Sequence, residues 1–410
     1  MSSKIETIRD IRDRLEPVSQ IHTPSYEEIR EEYVANPELH PLFTAVLPIE
    51  GLKKDESAYN PFAFVDKYGQ LQLLLRCEPD DPKREDSVVR LATWEGENFV
   101  IKDFRASRRS RKTTRLNEIK NAQDPNLTEI GSDQPTLSFV EIECGDPEQP
   151  GKVTEYHQKF VPFMDGKLRM SRAVKGESNR KDVRITYVGN NRRIISPRER
   201  IVTDQNLDSV ASYQEALILA ADQFQAIEKQ INYVVESPES VLPSFSSDPQ
   251  LWFGSNHWVP LRRDNGVHPM GSIEHSGRRK LDQVCENGRA EREYAVLTRE
   301  SEFSVQRGEI LTSSTPRIVT MASDFKEDIK PKTPDLKNVT FPGNLIFAFQ
   351  DNGRLAYTLL FTGVKDRVPG LSVIRYPFSI LPDLELNRNY ILSAKKARQL
   401  LTVLQNLKAA

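Results

Sequence analysis

Asn121-Ala-Gln-Asp-Pro-Asn-Leu-Thr-Glu-Ile130 runs, after a short gap, into Thr136-Leu-Ser-Phe-Val-Glu-Ile142. An Asp-Pro corner stands directly before strand-like sequence. Asp and Pro favour turns for purely local reasons, so an ordinary strand start accounts for the pair by itself. A carboxyl group fixed at the start of a strand can also be aimed into a shared pocket. A second acidic corner, Lys181-Asp-Val-Arg-Ile185, opens another strand further on. Paired carboxylates at strand ends are the minimal equipment for glycosidic-bond chemistry.

Outward from this stretch the pattern stays β-like. Short apolar runs such as Leu71-Gln-Leu-Leu-Leu75, Val183-Arg-Ile-Thr-Tyr-Val188, Leu345-Ile-Phe-Ala-Phe349 and Leu371-Ser-Val-Ile374 alternate with turns. The turns include Lys67-Tyr-Gly69, Asp165-Gly166, Asp264-Asn-Gly266 and Asp351-Asn-Gly353. Helical signals are confined to three places. Ser25-Tyr-Glu-Glu28 has capping-box spacing and opens a charged leader helix. Ser209 to Ile231 carries apolar residues at helical spacing, which predicts one helix inserted between strands. Ser393 to Leu407 predicts a terminal helix. So many short strands suggest a sandwich, a barrel or a propeller. A propeller blade takes roughly 40–50 residues, so five to seven blades fit this length. The expected division is a helical leader (1–45), a propeller (46–380) with a helical insertion at about 203–236, and a C-terminal helix (381–410) packed on it.

Composition narrows the function. The 410 residues can bury a large core. A balance of 57 basic and 59 acidic residues gives net −2, which argues for neither a nucleic-acid nor a membrane partner. Arg105-Ala-Ser-Arg-Arg-Ser-Arg-Lys-Thr-Thr-Arg115 is locally basic but has no interleaved aromatic to stack on bases, so it reads as a solvated loop. The three cysteines lie far apart, with no zinc-ligand spacing. No stretch resembles a secretory signal or a membrane span. A cytoplasmic, cofactor-free protein without a metal is the expectation.

Four constellations carry polar chemistry. Arg76, at the end of Leu73-Leu-Leu-Arg76, can clamp an anion or a sugar hydroxyl, or pair with Glu78 or Asp80. Asp182 sits among Arg192, Arg193 and Arg198, a solvated charged turn or a cation-lined carboxylate. His257, His268 and His275 cluster without metal-ligand spacing. Trp252 and Trp258 can stack on a sugar, although core packing is the commoner role for such aromatics.

In order along the chain, Tyr59-Asn-Pro, Leu74-Leu-Arg76, Gln123-Asp-Pro125, Lys181-Asp182, Gly254-Ser-Asn256, Asn338-Val-Thr-Phe-Pro342 and Phe361-Thr-Gly-Val-Lys-Asp366 resemble glycoside hydrolase family 130, the mannoside phosphorylase group. They resemble still more closely the domain-of-unknown-function family 1861. The resemblance implies an all-β, five-bladed propeller with its site in the central funnel. It places Asp124 as proton donor to the glycosidic oxygen, a role that calls for partial burial. It places Asn60, Arg76, Arg198 and Asn256 near substrate, and Asp366 in a sugar-binding motif of the last blade. Departures stand beside the matches. Gln123 replaces a Glu. Met270-Gly-Ser-Ile-Glu-His275 stands where the phosphorylases carry Tyr-His-Gly, so Ser272 replaces the phosphate-holding His or His275 serves after a shift. Hydrolysis with inversion needs a second carboxylate about 6.5–9.5 Å from the acid, and Asp182 and Glu274 are the candidates.

The expected function is therefore inverting cleavage of a glycosidic bond, such as that of a mannoside, by hydrolysis or phosphorolysis. The partners would be a small oligosaccharide or glycoside, and inorganic phosphate in the phosphorolytic case. The alternative is a non-catalytic propeller that binds a glycan or a protein.

Overall fold

A computed structural model describes residues 16–17, 24–79, 87–102, 122–129, 135–144, 153–164, 167–168, 173–178, 181–189, 192–202, 210–214, 217–220, 251–262, 268–285, 288, 290–304, 309–325, 337–365 and 368–409. Its strands form five sheets. Sheet I is the meander Glu56–Val65, Leu71–Pro79, Val88–Trp94 and Phe99–Lys102, with Ile49–Glu50 alongside. Sheet II runs Ala122–Glu129, Pro135–Cys144 and Val153–Met164, the last pairing both Lys167–Leu168 and Val174–Ser178. Sheet III comprises Lys181–Gly189 and Arg192–Val202, edged by Val210–Gln214 and Leu217–Ala220. Sheet IV is Leu251–Pro260, His268–Val284 and Ala290–Ser304, edged by Glu309–Ser313 and Arg317–Met321. Sheet V is Thr340–Phe349, Leu355–Val364 and Val368–Ile374, completed by Phe43–Val46. Counting Glu16–Pro17 at the edge of sheet IV and Ile391–Ser393 beside Thr340–Phe349 in sheet V, sheets I, IV and V are five strands deep, sheet II four and sheet III three among the described residues.

The arrangement is propeller-like. The first strand of each sheet touches that of the next, and sheet V returns to sheet I. Apolar side chains fill the gaps between neighbouring sheets rather than one central core. Leu73, Leu75, Ile346 and Phe361 pack between sheets I and V, and Phe64, Leu74, Leu127 and Phe139 between I and II. Because Phe43–Val46 lies early in the chain and its partner Val368–Ile374 late, sheet V fastens the two ends together.

The leader helix Tyr26–Ala35 starts at the expected box. Ser25 Oγ accepts from the Glu28 amide (3.2 Å), and the Ser25 amide donates to Glu28 Oε2 (2.6 Å). Its apolar side, Tyr26, Ile29 and Tyr33, is buried on Leu297 and Ile318 of sheet IV. The terminal helix Ala394–Ala409 buries Ala397, Leu400 and Leu404 against sheets I and V. The helix expected from Ser209 is not found where the backbone is described. Val210–Gln214 and Leu217–Ala220 are strands, both antiparallel to Arg192–Val202. A short apolar run fits either period, and the open edge of Arg192–Val202 decides the outcome by supplying hydrogen-bond partners. The rest of that expected helix lies outside the described residues. Among the described residues, no helix is long and apolar enough to cross a membrane.

Candidate functional site at the converging bulges

The first strand of each sheet carries a bulge at or before its midpoint. Register breaks between Tyr59 and Phe62, Gln123 and Asn126, Lys181 and Arg184, Ser255 and His257, and Pro342 and Asn344. Each break adds one residue to the first strand: from Tyr59 to Phe62 is three steps, against two from Arg76 to Leu74. An extra residue re-aims the chain locally, and bulges recur beside active sites for that reason. Here the bulges hold Asn60-Pro61, Asp124-Pro125, Asp182-Val183, Asn256 and Gly343. A proline suits such a position because a bulged residue need not donate to the ladder.

Side chains stitch these strands into a ring. Asn60 Nδ2 donates to Asp124 Oδ1 (2.6 Å), joining sheets I and II. Thr128 Oγ1 donates to the Ile185 carbonyl, joining II and III. Arg184 Nε donates to the Asn256 carbonyl (3.1 Å), joining III and IV. Asn256 Nδ2 donates to the Pro342 carbonyl (2.6 Å), joining IV and V. Asn344 closes the circle by accepting from the Ala63 amide and donating to its carbonyl, both at 2.7 Å. Gly343 lies against Pro61 so closely that a Cβ would sit 1.8 Å from the Pro61 carbonyl oxygen. Only glycine permits that approach.

The chemical focus lies between sheets I and II. Asn60 (φ 46°) and Asp124 (φ 48°) are two of the three non-glycine residues with left-handed backbone among the described residues. Asn and Asp tolerate that region best, but a following proline disfavours helical conformations, so each costs on the order of 1–3 kcal/mol. The two strained residues hydrogen-bond to each other. Arg76 Nη1 approaches the same Asp124 oxygen at 3.4 Å. Its Nε and Nη2 both reach Glu78 Oε1, at 2.7 and 2.5 Å, and its guanidinium carbon lies 4.9 Å from the centre of the Tyr59 ring. Burial opposes the Arg76 cation, but Tyr59, Glu78 and Asp124 outweigh it, so its pKa is raised. The Asp124 side chain keeps 20 % of its surface open and Arg76 15 %.

The other expected site residues divide. Asn256 and His275 meet: His275 Nδ1 donates to Asn256 Oδ1 (2.7 Å). With its amide nitrogen on Pro342, Asn256 has both ends of its side chain engaged in the frame. Glu274 lies on the second strand of sheet IV, opposite Ser255 at the edge of the Asn256 bulge, and pairs in an unbroken ladder with Leu297 on its other side. It is fully buried, accepting from Ser272 Oγ (2.6 Å) and Arg299 Nη2 (3.2 Å). That seals it from solvent and substrate alike. Asp182 lies in the sheet III bulge and Arg198 pairs in register with Lys181, so their backbones belong to the ring. Asp366 and the basic segment 105–115 lie outside the described residues. Among the described residues, no three His, Cys, Asp or Glu side chains converge to hold a metal.

Three contributors escaped sequence reasoning. The sequence offers Glu78 only as a local partner of Arg76 and Arg184 only as part of a strand, and Gly343 falls just beyond the quoted motif Asn338-Val-Thr-Phe-Pro342. Gly343 follows Pro342 inside an apolar run, a signal that marks a bulge or a close backbone approach.

No protein family profile matches the chain, and no curated protein does. Solved structures do share its fold. A mannose phosphorylase from Leishmania mexicana, MPT-4, in complex with phosphate ion, aligns with a TM-score of 0.63 at 18% identity, covering 87% of this chain and 95% of its own. MPT-1, a GDP-Man-dependent mannosyltransferase from the same organism, aligns with a TM-score of 0.63 at 17% identity, covering 88% and 98%. A hypothetical protein from Leishmania major aligns with a TM-score of 0.60 at 16% identity, covering 89% and 99%. The first of these agrees with the resemblance to the mannoside phosphorylase group at the level of fold. The resemblance to family 1861 gains no support.

Proposed function

We propose that this chain is a carbohydrate-active enzyme that breaks a glycosidic bond at the ring of bulges, with Asp124 as general acid. The ring is read as a five-bladed propeller in which sheet III is the fifth blade. The observation that carries the proposal is the setting of Asp124: a carboxyl group on a strained bulge, partly open, hydrogen-bonded by one oxygen to Asn60 and Arg76. Strain of this kind persists where the surroundings over-determine it, and functional sites are where it collects. Asp182, at the neighbouring bulge, is then the candidate base for hydrolysis, since Glu274 is sealed in its pair with Arg299. In phosphorolysis, phosphate takes the place of water and no such base is needed. The two mannose-handling proteins of like fold support glycosyl chemistry and make a mannosyl group the first substrate to try.

Small mannosides and glucosides, and GDP-mannose, incubated with and without phosphate, test the reading. Turnover of at least one sugar, abolished by Asp124→Asn with the thermal midpoint kept, is the expected result. Sugars that bind without turnover under every condition would instead favour a non-catalytic glycan-binding propeller. Full activity in Asp124→Asn would remove Asp124 from the chemistry.

A further inference from the structure

Beyond the bulges, the axis of the ring holds a void of about 20 Å³. It is lined by Asn126 of sheet II, Arg184 of sheet III and His257 of sheet IV, and by Asn387 and Tyr390 from the segment before the terminal helix. Asn126, His257 and Asn387 are 1 %, 5 % and 0 % exposed. Each has a buried polar atom without a hydrogen-bond partner among the described residues: Asn126 Nδ2, His257 Nε2 and Asn387 Oδ1. Unpaired polar atoms are costly at such depth and rarely stand alone. Three on the walls of one small void call for a shared partner.

Their chemistry says which. The Leu345 amide donates to His257 Nδ1 (3.4 Å), so the single proton of the neutral ring sits on Nε2. The ring is held neutral, its pKa lowered to about 3 by burial and then by Arg184. His257 Nε2 and Asn126 Nδ2 are therefore donors, while Asn387 Oδ1 is an acceptor. We infer that the void is a binding site for one ordered water, which accepts from His257 and Asn126 and donates to Asn387. The size suits it, because about 10–15 Å³ suffices for one water. An anion suits it less, since it would place negative charge against the Asn387 carbonyl oxygen. The water joins sheets II and IV to the Asn387–Tyr390 segment. Asn387 Nδ2 is itself anchored on the Pro260 carbonyl (2.7 Å), and the Tyr390 ring lies 4.4 Å from that of His257.

A crystal structure at a resolution that orders water tests this on the full chain. The expected result is one peak within about 2.7–3.2 Å of His257 Nε2, Asn126 Nδ2 and Asn387 Oδ1. In Asn126→Leu that peak is lost, and oxygen-17 relaxation dispersion counts one long-lived water fewer than in the parent. Should Asn126→Leu fail to fold, His257→Phe gives the same readout. A dry void, a direct bond between Asn126 and Asn387, or tetrahedral anion density in the parent protein would each overturn the inference.

Discussion

Asp124 and Glu274 are both carboxylates, both on strands and both about 3 Å from an arginine, yet their surroundings are opposite. Asp124 rides on a bulge between two sheets, with left-handed backbone and a fifth of its side chain open. Glu274 sits on the strand facing a bulge rather than on the bulge itself, wholly enclosed, with Ser272 donating to one of its oxygens and Arg299 to the other. A strand in register turns its side chain into inter-sheet packing, where a charge must find a permanent partner. A bulge lifts its residue out of that packing and leaves the carboxyl group able to meet something else. In this ring, a place on the bulge itself leaves a carboxyl group partly open, whereas a place on the strand facing one encloses it.

The contrast breaks first under Glu274→Ala. Removing one partner of a buried pair takes from Arg299 the carboxylate beside it and should cost about 3–5 kcal/mol of stability, read in denaturant unfolding. Asp124→Asn should do the reverse, leaving unfolding nearly unchanged and lowering turnover about 10²–10⁴-fold on whichever glycoside proves to be a substrate. A large stability loss in Asp124→Asn, or none in Glu274→Ala, would erase the distinction.

A titration sharpens the same comparison deeper in the ring. His257 is buried neutral with a pKa of about 3, against an ordinary 6.5. The unfolded chain takes up this proton as pH falls below about 6.5, whereas the folded chain refuses it until about pH 3. The contribution is therefore fully present above pH 6.5 and is lost on acidification through that window, by up to about 1.4 kcal/mol per unit. His257→Phe should flatten this part of the acid limb, seen as a smaller pH dependence of the unfolding free energy than in the parent. Gly343→Ala would set a methyl group 1.8 Å from the Pro61 carbonyl oxygen, a backbone clash that should cost more than the ~1–3 kcal/mol of ordinary overpacking, read as a lower thermal midpoint.

Part of the ring was legible in the sequence as turn chemistry, although the Asp-Pro corner read as standing before a strand lies within Ala122–Glu129, on a bulge. Asn60-Pro61 and Asp124-Pro125 each put a turn-forming polar residue before a proline inside β-type sequence, and the chain obeys that chemistry. Asp182 and Asn256 mark two further bulges that the quoted motifs already contained. What stayed hidden is non-local. Nothing around Glu274 announces Arg299 as its partner, twenty-five residues on. Nothing around Asn126 or His257 announces that the 386–390 segment returns to line the axis. The apolar run Leu217-Ile-Leu-Ala220 suited a helix as well as a strand, and only the waiting edge of Arg192–Val202 chose between them.

The most direct test is a crystal structure with a bound glycoside that the protein turns over slowly, for instance in Asp124→Asn. The expected result is a sugar seated across the bulges, its glycosidic oxygen within about 2.6–3.2 Å of the residue-124 side chain. A glycoside bound elsewhere on the ring, with residue 124 still turned to Asn60 and touching no sugar, would contradict the assignment.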